Sequence, residues 1–113
     1  MEEATRGFIK INFDGSKSSQ DVAGGFIIRD WEGKFIQASA FNLGRSSILV
    51  AEATAMRNGI KEAVQAGFTH IQIEGDNKIL IQAGQCHIQS PWEIHVLVQD
   101  ILTYTKLCNR VII

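Results

Sequence analysis

The sequence is short of the residues that announce specialised classes of protein. One proline among 113 residues, with ten spaced glycines, leaves no room for a proline-rich linker or a collagen-like repeat. Two cysteines, Cys86 and Cys108, stand far apart and form no Cys-x-x-Cys pair, so no disulfide framework or zinc ribbon is written here. They are expected to be buried free thiols, which fits an intracellular location, in the nucleus or cytoplasm with an organelle also open. No apolar run is long enough to span a bilayer, and the acidic start Met1-Glu2-Glu3 is unlike a secretory leader, so no membrane partner is expected. Nor is there an excess of one charge. A net charge of −1 gives no global basic field, so any nucleic-acid contact has to come from a local patch.

What is present is a globular composition, 45% hydrophobic and 20% charged, of a length suited to one small domain. The domain is expected over residues 8–113, with 1–7 as a flexible extension. From Phe8 the chain alternates: Ile9, Ile11 and Phe13 share one face, and Lys10, Asn12 and Asp14 the other. That is a strand, expected to end at Asp14-Gly15-Ser16 and to give way to a polar turn over 16–21. Two further runs, Val22 to Arg29 and Lys34 to Phe41, flank Asp30-Trp31-Glu32-Gly33 and predict an antiparallel hairpin.

The period then changes. Leu49, Ala53, Met56, Ile60 and Val64 recur at helical spacing, with Ser46 or Ser47 as cap and Gly67 as the C-terminal stop. On this helix Glu52 lies about 60° from Leu49, at the edge of the buried stripe. Ile71 and Ile73 predict a strand closing at Gly75-Asp76, and strand-helix-strand implies a right-handed crossover with parallel pairing. Asn77 is placed to cap a short helix. Ser90-Pro91-Trp92-Glu93 reads as a capping box opening another, with Ile94, Leu97, Val98, Ile101 and Leu102 on its apolar face. Arg110 to Ile113 reads as a last strand whose sheet keeps one uncovered side. The result is a mixed α/β sheet.

Asp14 and Asp76 both fall at strand ends, where open α/β sheets place their sites, and Glu52 can point back at them from the first turns of the crossover helix. Taken singly, Asp14 is an ordinary turn residue, Asp76 a helix-start residue and Glu52 a dipole partner. Taken together, three crowded carboxylates call for protonation or a hard divalent cation. The histidines, His70, His87 and His95, have no metal-binding spacing and read as surface or helix residues. Trp31 in the hairpin turn is open to base stacking, whereas Trp92 at a helix start is expected to pack. Arg6, Lys10, Lys17, Arg29 and Arg45 are candidates for phosphate contact, with scattered surface charge as the plainer reading.

Ile11-Asn12-Phe13-Asp14-Gly15-Ser16, Ala51-Glu52-Ala53 and Ile73-Glu74-Gly75-Asp76-Asn77, in this order and at these separations, resemble the ribonuclease H family. The likeness is strongest to plant ribonuclease H-like domains related to retroelement reverse transcriptases; Arg29-Asp30, Gly59-Ile60, Ala63 and Gly67 match that subgroup too. The resemblance runs from about Ile9 to the end. It implies a five-stranded sheet of order 3-2-1-4-5 with strands 1–3 antiparallel and flanking helices. It also implies Mg²⁺- or Mn²⁺-dependent hydrolysis, by two metals in an intact domain, of the RNA strand of an RNA/DNA hybrid. Asp14, Glu52 and Asp76 would be the catalytic metal ligands, and Gly15, Ser16 and Asn77 would contact substrate. The family continues past the last strand to a helix carrying a fourth carboxylate, and this chain ends at Ile113, so the fragment reads as a C-terminal truncation and its activity is open. A non-catalytic module for protein or weak nucleic-acid contacts is the competing reading. An uncovered sheet surface also makes a homodimer an expectation.

Overall fold

The computed structural model describes residues 5–113. Five strands form one sheet: β1 (Ile9–Ser18), β2 (Asp21–Arg29), β3 (Phe35–Arg45), β4 (His70–Glu74) and β5 (Arg110–Ile112). Their order is β3-β2-β1-β4-β5. β1, β2 and β3 pair antiparallel, whereas β4 runs parallel to both β1 and β5. The helices are α1 (Ile48–Gln65), α2 (Lys78–Gly84) and α3 (His95–Thr105), the last preceded by a 3₁₀ turn at Trp92–Ile94. This is the expected α/β topology and strand order.

Alternation along β1 decides where the core lies. Ile9, Ile11 and Phe13 are buried against Phe26 and Ile28 of β2, Ile71 and Ile73 of β4, and the inner faces of α1 and α3. The inner face of α1 is built from small residues, Ala51, Ala53, Ala55, Gly59 and Ala63, with Met56 and Ile60 between them. Small residues let the helix sit close: a Cβ on Gly59 would lie 2.7 Å from Ile11 Cγ2. Ser47 caps this helix by accepting the Val50 N–H at 3.1 Å. It ends in a Schellman motif, with Gly67 at φ +92° and the Phe68 N–H donating to the Ala63 carbonyl at 3.1 Å. All three helices join the core on the Ile11 side. Among the described residues, the opposite face of the sheet has no helix on it; there a groove of about 730 Å³ opens, with Asn12, Asp14, Ile27, Ala40, Glu74 and Asp76 in its lining.

Several local expectations need correction. β1 does not stop at Asp14 but continues to Ser18, and Ser18 pairs with Asp21 across a loop of two residues. Ser19 takes the positive φ of 58° that this tight loop needs, with no glycine or asparagine to announce it. β3 likewise runs on to Arg45. The capping box at Ser90 is not formed. Ser90 Oγ instead pairs with His95 Nδ1 at 3.2 Å, and the Glu93 carboxylate accepts a hydrogen bond from Ser47 Oγ at 3.3 Å. Glu93 is therefore drawn to the cap of α1, and α3 starts only at His95. His70 is a strand residue whose ring packs edge-on to Phe8 at 5.3 Å.

Burial also departs from expectation. Cys86 is exposed and Cys108 half-buried, both free. Trp92 does not pack; it is 93% exposed. Trp31 is part-covered by the Arg6 guanidinium, 5.4 Å from its ring centroid. Residues 1–4 of the expected extension lie outside the described residues. Thr5 to Gly7 form a turn, with the Thr5 N–H donating to Gln72 Oε1 at 3.1 Å.

Candidate active site

The parallel pairing of β1 with β4 ends at Asn12↔Glu74, so both strands deliver their next residues to the same sheet end. β1 continues, paired with β2, and places Asp14 opposite Gly25. β4 stops, and Gly75-Asp76 turns into α2. The turn is close: a Cβ on Gly75 would overlap the Phe13 ring. Asp14 and Asp76 are exposed and line the open groove. Asp14 Oδ1 accepts the N–H of Gly15 at 2.8 Å.

Glu52 arrives from the other side of the sheet. It sits one turn into α1, half-buried, with its side chain over the backbone of Gly15. A Cβ on Gly15 would lie 2.8 Å from Glu52 Cγ, and one on Gly24, the cross-strand partner of Gly15, would lie 2.7 Å from the Ala51 carbonyl oxygen. Two facing glycines thus let the first turn of α1 rest directly on the β1–β2 backbone.

Burial raises the pKa of Glu52 above the ordinary carboxyl value; a hydrogen bond from the Asn77 side chain opposes the shift, and the charges of Asp14 and Asp76 add to it. Glu52 is therefore within electrostatic reach of both aspartates. Among the described residues, however, no three Asp, Glu, His or Cys side chains are gathered closely enough to hold one ion together. The acids surround the sheet end without forming a cage.

Of the expected substrate contacts, Gly15 is covered by Glu52, Ser16 is exposed and lines the groove, and Asn77 caps α2 by accepting the Leu80 N–H at 3.2 Å. Lys10 is not a surface cation for phosphates: it is 2% exposed and ion-paired with Glu74. Gly24 was not singled out by the sequence, although a Gly24-Gly25 pair inside a strand is a signal of close backbone approach.

Comparison with known proteins follows this geometry. A family described as Reverse transcriptase-like matches residues 12–112. The fold is similar to ribonuclease H1 of the halophilic archaeon Halobacterium salinarum NRC-1, at 16% identity and a TM-score of 0.81, covering 91% of this chain and 80% of that one. It is also similar to the N-terminal RNase H domain of rv2228c from Mycobacterium tuberculosis, at 18% identity and a TM-score of 0.86, covering 92% and 78%. LC11-RNase H1 in complex with an RNA/DNA hybrid aligns at 17% identity and a TM-score of 0.77, covering 93% and 83%. Comparison with curated proteins gives no match. With its sheet order and nearly its whole length in common with these proteins, the chain belongs to the reverse transcriptase-like family and has the ribonuclease H fold.

Proposed function

We propose that this chain is a ribonuclease H-type domain that hydrolyses the RNA strand of an RNA/DNA hybrid with Mg²⁺ or Mn²⁺. The observation that carries the reading is the delivery of Asp14 and Asp76 to one sheet end, where both line the same groove, with Glu52 seated over Gly15 beside them. Carboxylates gathered at one sheet end suit a hard divalent cation, since their oxygens are ligands for one and its charge offsets theirs. Asp14, Glu52 and Asp76 would hold the metal. When bound, it would activate water and stabilise charge on the phosphodiester. The rest falls to the protein. The open groove beside Asp14 and Asp76 receives the backbone, and Ser16 at its rim donates to a phosphate or a 2′-hydroxyl. A hybrid is the favoured substrate because such recognition reads backbone shape rather than base sequence; LC11-RNase H1, of the same fold, has been seen in complex with one.

The second reading is a non-catalytic module of the same fold. It is favoured by the absence of a ready-made cage among the described residues and by the engagement of Lys10 with Glu74. Cleavage of a labelled hybrid in Mg²⁺ and in Mn²⁺ separates the two. RNA-strand cutting that vanishes in Asp14→Asn supports the nuclease, and intact hybrid in both metals supports the module. We further propose self-association through the open sheet face; a monomeric mass by light scattering at high concentration would rule this out.

A further inference from the structure

An edge strand carries a row of backbone N–H and C=O groups with no strand to pair with, and proteins commonly blunt it with charge, proline or brevity. The two edges of this sheet differ in that respect. β5 has three residues and opens on Arg110. β3 is the longest of the five strands, at eleven residues, and among the described residues no strand lies on its outer side. From Phe35 to Gly44 it holds no Asp, Glu, Lys, Arg or Pro; its one charge is Arg45, at the last position.

The middle of β3 is also regular and bare. Two bulges interrupt its pairing with β2, at Ile28/Arg29 and at Val22/Ala23, and between them Gln37 to Asn42 pair without a shift. Ala38, Ser39 and Ala40 at the centre are all exposed, and side chains this small let a second backbone approach to strand spacing. Larger apolar side chains stand in solvent on either side of this centre, Phe35 (66% exposed) at one end and Leu43 at the other.

The occupant that matches a bare, uncharged centre with apolar flanks is the same strand turned end for end. In antiparallel pairing of identical strands the two-fold axis falls on a residue, because facing residues must direct their backbone groups alike. With the axis on Ser39, Ala38 faces Ala40, Gln37 faces Phe41, and Phe35 of each copy comes up to Leu43 of the other. With the axis on Ala40, Phe35 would meet the charge of Arg45 instead.

We propose that β3 is an interaction edge that pairs antiparallel with β3 of a second copy, about an axis at Ser39, joining two sheets into one of ten strands. That axis runs normal to the sheet, so both grooves open on the same side, with the two β1 strands about 24 Å apart at five strand spacings. The contact is separate from association through the open face and does not rest on the nuclease reading.

The test is run in an Ile27→Lys background, which charges the open face and removes association through it. Light scattering over a dilution series should give twice the chain mass at the highest concentrations; a monomeric mass throughout overturns the proposal. Adding Ser39→Lys or Ser39→Asp should give monomers with an unchanged far-ultraviolet spectrum, since Ser39 is exposed and like charges then meet at the axis. Mixing the two variants in equal amounts should restore the doubled mass, because opposite charges then face each other. The mixture is its own folding control, as only folded chains can form the pair again. A doubled mass in either variant alone, or an equal mixture that stays monomeric, overturns the pairing at Ser39.

Discussion

The two faces of the sheet are made from alternate residues of the same strands, yet they behave differently. On one, Ile11 is fully buried under α1; on the other, Ile27 of the neighbouring strand is 36% exposed. The covered face owes its stability to packing against helices. On the open face the polar contacts include an ion pair of the buried Lys10 with the exposed Glu74. The acids sit where the faces meet, with Asp14 on the open side and Glu52 reaching over from the helix side. The proposed site thus occupies the margin between a packed layer and an accessible one. The packed face fixes the backbone, and the open face leaves a groove.

Substitutions can sharpen or break that contrast. Ile11→Ala, which empties a site under α1, should cost about 3 kcal/mol in urea unfolding. Gly75→Ala forces its methyl against the Phe13 ring at the strand end and should cost about 2 kcal/mol, with the loss of packing visible as an altered near-ultraviolet spectrum. Ile27→Ser on the open face, measured at a protein concentration too low for self-association, should change stability by no more than about 0.5 kcal/mol. A loss as large as that of Ile11→Ala would mean that the open face is covered in solution and would break the comparison.

The smallest effect is a pH dependence. The folded-state pKa of Glu52 is raised, so between the ordinary carboxyl value and the raised one the folded protein holds a proton that the unfolded chain has released. In metal-free protein this makes stability fall as pH rises through that window, and the destabilisation is fully present above it. Glu52→Gln should remove this part of the slope and be the more stable form at neutral pH. An identical pH profile for the two proteins, measured by denaturant unfolding, would mean that burial does not raise the pKa of Glu52.

Much of this architecture was legible because it depends on local periodicity. Alternation in Ile9 to Phe13 marked the strand and its buried face, and the spacing of Ala53, Met56 and Ile60 marked the crossover helix. The caps at Ser47 and Asn77 and the stop at Gly67 were legible for the same reason, since each satisfies backbone groups only a few residues away. The position of Glu52 at the rim of the helix stripe was enough to bring it to attention beside Asp14 and Asp76.

Other features were settled by partners distant in the chain. Glu93 abandons the Ser90 cap for Ser47, 46 residues away, and only the packing of α3 beside α1 makes that exchange available. Lys10 looks like a surface cation in an alternating strand, but β4 brings Glu74 to it and buries it. Trp92, expected to pack, finds no surface to pack on. By itself the sequence determined the elements and their order, and it drew attention to three acids, because periodicity and capping act within a few residues. Tertiary structure alone decided that Gly15 faces Gly24, that Glu52 lies over Gly15, and that the acids ring the sheet end without closing on it. Those are contacts between chain segments, and no local pattern carries their distances.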